Sequence, residues 1–161
     1  MIHSITHHDR EKILDLLQQT AVFNEQEIDV AMEIVDLVLM KKDRGEYQTF
    51  CYHDGDNQFM GYICFGPIPM TDSSYDLYWI AVDKKVAGKG VAAELVRFME
   101  ERVVKEGGKK IYVDTSTTPK YGTARAFYEK HGYRIICVLD NFYRERDHKI
   151  IFMKDLENNG S

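Results

Sequence analysis

A mixed α/β domain, built on a central mixed sheet flanked by helices, is what three features of this 161-residue chain predict. Amphipathic helical stretches stand before and between runs of alternating β-branched and aromatic residues, and strands then close the chain. One strand, Asp76 to Val82, passes through a polar turn into paired glycines and a long helix, a unit that the remaining elements flank. Length and an apolar content of 44% suit a single domain, 1-161, with one core and no internal repeat.

In chain order, Ile2 to Ile5 is read as a short strand. Thr6, with Asp9 three residues on, caps a helix that carries Ile13, Leu14, Leu16 and Leu17. Asn24 and Glu27 form a second capping pattern ahead of Ile28, Ala31, Met32, Val35, Val38 and Leu39. Those residues recur at helical spacing until Lys41 and Lys42 meet the negative helix end. Glu46 to His53 and Phe59 to Phe65 alternate on either side of Asp54-Gly55-Asp56-Asn57, which reads as a hairpin turn. Gly66-Pro67-Ile68-Pro69 ends the hairpin and leads to the central strand. There Leu77, Trp79 and Ala81 are expected on one face, and Asp76, Tyr78, Ile80 and Val82 on the other. Val91, Leu95, Phe98, Met99 and Val103 mark a helix ending at Gly107-Gly108. Lys109 to Thr115 is a strand, and Ala124 to Tyr128 lie in a helix closed by Gly132. Tyr133 to Leu139 and His148 to Met153 are final strands joined by a polar, aromatic connection.

Gly88-Lys89-Gly90, followed directly by a helix start, is a candidate anion site suited to phosphate. Glycines let backbone amides approach a ligand, and the first amides of a helix lack intrahelical partners and sit at its positive end. On the glycines alone, a ligand-free strand–loop–helix explains the stretch as well. Gly88-x-Gly90-x-x-Ala93, with Asp114 closing the next strand, also fits a dinucleotide fingerprint. Against it, five residues, Asp83 to Ala87, separate strand from glycines, and the motif sits at mid-chain.

The net charge of −5, from 26 acidic and 21 basic residues without a long basic run, disfavours a nucleic-acid partner and permits a cationic one. Three widely spaced cysteines, Cys51, Cys64 and Cys137, argue for a reducing, cytoplasmic setting. Cys64 and Cys137, set in apolar runs, are expected in the core. No stretch has the apolar length of a membrane span, so no membrane partner is expected. His7-His8 lacks a third ligand at suitable spacing, so no metal site is expected.

Two segments together resemble the GCN5-related N-acetyltransferase (GNAT) superfamily, the acyl-CoA-dependent transferases. The first is Ala87-Gly88-Lys89-Gly90-Val91-Ala92, on the family's pattern of Arg or Gln, two residues, Gly, one residue, then Gly or Ala. The second is Ala124-Arg125-Ala126-Phe127-Tyr128-Glu129-Lys130-His131-Gly132-Tyr133, on A-x-x-[FL]-Y-E-x-x-G-[FY]. The likeness covers Tyr47 to Leu156, while the N-terminal helices match by element type. Ala87 departs from the usual Arg or Gln and removes a side-chain contact. Tyr121 stands where many members carry Asn, and any contact made by that side chain is lost.

The resemblance implies a GNAT acyl-CoA N-acyltransferase fold and direct transfer of acetyl from acetyl-CoA to a primary amine on a small molecule or peptide, without a metal. It implies an amide near Ile80 facing the acetyl oxygen, backbone of Val82 pairing with pantetheine, and amides of Gly88, Lys89, Gly90, Val91, Ala92 and Ala93 holding pyrophosphate. Tyr128 aligns with the family's general acid, though it also reads as a packing aromatic. Asp76 aligns with a family base and, on unbroken alternation, shares a face with Ile80 and Val82. Asp114 with a water chain is its rival, and a solvated carboxylate is the plainer reading. A non-catalytic acyl-CoA-binding module is the alternative to an enzyme, and a homodimer stays open.

Overall fold

The computed structural model describes residues 1–157. Its helices are α1 (Arg10–Gln19), α2 (Glu25–Leu39), α3 (Val91–Lys105) and α4 (Gly122–Lys130). Its strands are β1 (Ile2–Ser4), β2 (Gln48–His53), β3 (Phe59–Pro67), β4 (Ser74–Val82), β5 (Lys110–Ser116), β6 (Arg134–Arg144) and β7 (Asp147–Asp155). They form one mixed sheet in the order β1-β2-β3-β4-β5-β7-β6. Its sole parallel pair among the described residues is β4 with β5.

Local chemistry sets most boundaries. The Asn24 side chain accepts from the Glu27 amide at 2.8 Å and starts α2. The Asp9 carboxylate accepts from both the amide and the hydroxyl of Thr6 at 2.8 Å, and a 3₁₀ turn, His7–Asp9, precedes α1. In the hairpin turn, Asp54 Oδ1 accepts from the amides of Asp56 at 2.9 Å and Gln58 at 2.8 Å.

Two cores sandwich the sheet. Leu16, Leu17, Ile28 and Val35 pack from α1 and α2 onto Cys51, Tyr62 and Ala81 on one face. Val91, Leu95, Met99 and Val103 of α3 pack with Tyr128 of α4 onto Ile63, Leu77, Val113 and Phe152 on the other. Burying such side chains contributes roughly 1.5–3 kcal/mol each.

Three expectations are corrected. The faces of β4 do not alternate unbroken: Cys64 pairs with Trp79 but Phe65 with Leu77, so Tyr78 is an extra residue in a β-bulge. Leu77 therefore packs in the α3 core with Ile80 and Val82, while Trp79 and Ala81 face α1 and α2. Asp76, adjacent to Leu77 in regular strand, lies opposite Ile80 and Val82 rather than beside them. Second, β6 and β7 extend through the expected polar connection and turn at Glu145-Arg146, with Arg146 at φ 65°. Third, Cys137 is half-buried on edge strand β6, not in the core, whereas Cys51 and Cys64 are buried.

Candidate active site

The sheet opens where β4 meets β5. The two pair only from Ser74–Leu77 to Lys110–Val113, yet β4 runs on to Val82 and β5 to Ser116. The bulge at Tyr78 falls where pairing stops, so the strand turns away from its neighbour there. Backbone groups on the β5-facing edge beyond Leu77 consequently have no strand partner and are free for a ligand.

A groove of about 530 Å³ occupies this opening, with Ile80 and Val82 along one wall and Tyr128 at the other. At its end lies the start of α3. Gly88 and Gly90 have φ of +81° and +84°, a left-handed conformation that favours glycine, and a Cβ at either would meet nothing within 4 Å. Gly90 is the N-cap without a side-chain hydrogen bond, and Gly88, Gly90, Val91, Ala92 and Ala93 line the groove. Five positions between Gly88 and Ala93, set around a bare helix start beside open space, fit a phosphate-bearing ligand. Lys89 is not brought there: its amide donates to Val86 O at 3.1 Å, and it does not line the groove.

A second cavity, of about 690 Å³, opens on the α1/α2 side and shares Leu77, Tyr78, Trp79, Asp114, Thr115 and Tyr121 with the groove. Asp76 lines this cavity and not the groove. Burial, then the nearby Asp114 carboxylate, push its carboxyl up to about 6, and Lys149 only partly opposes them. Lys149 Nζ sits 3.0 Å from Asp114 Oδ2, so Asp114 has an ion-pair partner and Asp76 has none among the described residues.

Tyr128 is 5% exposed, its ring set 5.7 Å from Phe152 and 5.8 Å from Tyr133 between centroids. Burial holds its hydroxyl well above the usual tyrosine range, and that hydroxyl has no hydrogen-bond partner among the described residues. It can therefore donate a proton but will not ionise unaided.

Contributions from distant positions were not visible in sequence motifs. Tyr121 donates to Glu27 Oε2 at 2.8 Å, tying the segment before α4 to α2. The polar residue at the family's Asn position thus binds another part of the wall. Thr115 is 4% exposed, lines both cavities and keeps a buried hydroxyl unpartnered among the described residues. Asp147 binds the Ser116 hydroxyl and Arg144. Elsewhere, His3 Nε2 lies 2.7 Å from His53 Nδ1, and His53 Nε2 lies 3.4 Å from Asp9 Oδ1. These three residues, invisible as a group in the sequence, have ligand-type atoms within 4.8 Å of one another, but mutual contacts already engage both nitrogens of His53.

The family model described as Acetyltransferase (GNAT) family matches residues 10–133. The chain is similar to the crystal structure of a GNAT-family protein from Desulfovibrio desulfuricans, with 33% identity and a TM-score of 0.89 over 97% of this chain and 98% of that one. It is also similar to an aminoglycoside 6'-N-acetyltransferase complexed with coenzyme A, at 20% identity and a TM-score of 0.74, with 97% of each chain covered. The ribosomal-protein-S18-alanine N-acetyltransferase from Escherichia coli aligns at 16% identity and a TM-score of 0.76, over 97% of this chain and 93% of that one. At those identities the last two share the fold. No curated protein matches the chain. No described helix is long and apolar enough to cross a membrane.

Proposed function

This chain belongs to the acetyltransferase (GNAT) family, and from that premise we propose that it moves an acetyl group from acetyl-CoA directly to a primary amine. The observation that carries this reading is the junction at the bulge, where the phosphate-suited groove meets the cavity holding Asp76. Bound acetyl-CoA would supply a thioester carbonyl as the electrophile.

In this reading the amides of Val91, Ala92 and Ala93 at the start of α3, with those of Gly88 and Gly90 before it, hold the pyrophosphate, and the free edge of Ile80 to Val82 orients the pantetheine arm. An unpaired amide near Ile80 donates to the carbonyl oxygen and stabilises charge that develops there. Asp76 takes the proton lost by the amine, through a water where its short side chain does not reach. Tyr128 gives a proton to the departing sulfur. The C–N bond forms, the C–S bond breaks, and the products are an N-acetylamine and CoA thiol.

Thiol detection with acetyl-CoA and a panel of small amines and peptides tests this. CoA thiol is expected only when both substrates are present. Affinity for acetyl-CoA without thiol release from any amine would make the chain a binding module.

Gly90→Asp places a carboxylate where the pyrophosphate would lie, and CoA affinity is expected to fall at least tenfold, about 1.4 kcal/mol. Calorimetry on a variant with unchanged circular dichroism checks this, and undiminished affinity would remove the phosphate assignment.

A further inference from the structure

Resting on that reading of the site, we infer that the acceptor is a multiply charged amine, an aliphatic diamine or longer polyamine, whose second ammonium sits between Glu27 and the aromatic walls of the larger cavity. The charge inventory carries the inference. Four carboxylates line the cavity: Glu27, Asp76, Asp114 and Asp147. Asp147 is paired with Arg144 and Asp114 with Lys149. Glu27 receives only the neutral hydroxyl of Tyr121, and Asp76 has no ion pair among the described residues, Lys149 acting on it only from its place on Asp114. Lys120, the remaining basic lining residue, is exposed and pairs with none of the four.

The two carboxylates without an ion pair come from different walls, Glu27 from α2 and Asp76 from β4. One amine nitrogen reacting beside Asp76 leaves Glu27 without a cation. The N-terminal dipole of α2 offsets part of that charge, and a second ammonium would offset the rest.

Phe23, Tyr78, Trp79, Tyr121 and Tyr143 add aromatic wall to this cavity, and ring faces attract desolvated cations. The methylene chain of a polyamine suits the apolar ring surfaces between charges. A volume of about 690 Å³ exceeds what a small monoamine fills. Thr115 offers the junction a buried hydroxyl that still lacks a partner, a second sign that a polar ligand completes this site.

The test compares n-butylamine with 1,4-diaminobutane, and n-hexylamine with 1,6-diaminohexane, at saturating acetyl-CoA, in wild type and Glu27→Gln. A tripeptide with a free N-terminus is a further arm. Gln keeps the oxygen that accepts from Tyr121 and removes the charge. Each diamine is expected to exceed its monoamine at least tenfold in kcat/KM, and the ratio to fall below about threefold in Glu27→Gln with KM for acetyl-CoA unmoved. Equal values for mono- and diamines in wild type, a ratio that survives Glu27→Gln, or a tripeptide faster than both diamines would overturn the inference while leaving acetyl transfer standing. Thiol release with no amine at all would bring down acetyl transfer itself, and this inference with it.

Discussion

Tyr128→Phe should lower the maximal rate of acetyl transfer about 10- to 1000-fold while leaving acetyl-CoA affinity unchanged. Phe keeps the ring that packs against Tyr133 and Phe152, and the lost hydroxyl has no protein partner among the described residues, so the melting temperature should hardly move. What disappears is a neutral donor in the groove, kept protonated by burial, for the leaving sulfur. CoA thiol is acidic enough to depart as thiolate near neutral pH, which puts the loss below that for an alkoxide leaving group. Single-turnover kinetics separates the chemical step from product release. An unchanged single-turnover rate would make Tyr128 a packing residue.

Asp76→Asn is expected to lower kcat/KM about 100- to 10,000-fold near pH 7 and to remove a limb of the pH profile. With its carboxyl pushed up to about 6, Asp76 becomes a competent base as pH rises through that value, so the wild-type profile should climb there. The Asn variant should lack that limb and recover partly at high pH, where more acceptor is unprotonated. Stability supplies an independent readout with a definite sign. A carboxyl whose folded pKa exceeds its unfolded 3.8 favours the fold below that value and loses that contribution as pH rises through about 6. The Asn variant should therefore gain thermal stability relative to wild type at pH 8 and not at pH 3. A rate loss independent of pH would assign Asp76 to structure or to acceptor binding.

Features set by neighbours in sequence were legible: the Asn24 cap, the Asp54 turn, the glycine pair ahead of α3 and the tyrosine of α4. Each depends on residues within one turn or hairpin. The bulge at Tyr78 was not legible, because it is defined by β4 pairing with β3, and an extra residue is invisible to a period-two reading of β4 alone. Missing it put Asp76 on the wrong face, although Asp76 remained the candidate base. The full lengths of β6 and β7 escaped for a different reason. Edge strand β6 is exposed along most of its length and has register breaks at Ile135/Cys137 and Leu139/Arg144, so no buried face imposes alternation. Glu27 and Tyr121, separated by 94 residues, are joined only by the fold, and no local motif could pair them.

The groove at the start of α3 and the cavity around Asp76 are, in this view, two halves of one active site that meet at the bulge. A bisubstrate analogue, 1,4-diaminobutane joined through an acetyl bridge to the sulfur of CoA, spans both halves, and calorimetry against CoA alone measures whether they are connected. Binding at least about 100-fold tighter than CoA, roughly 2.7 kcal/mol, is the outcome that the joined site requires, and loss of that gain in Glu27→Gln is what the diamine inference adds. An analogue that binds no tighter than CoA would mean that the cavity beside Asp76 does not receive the acceptor.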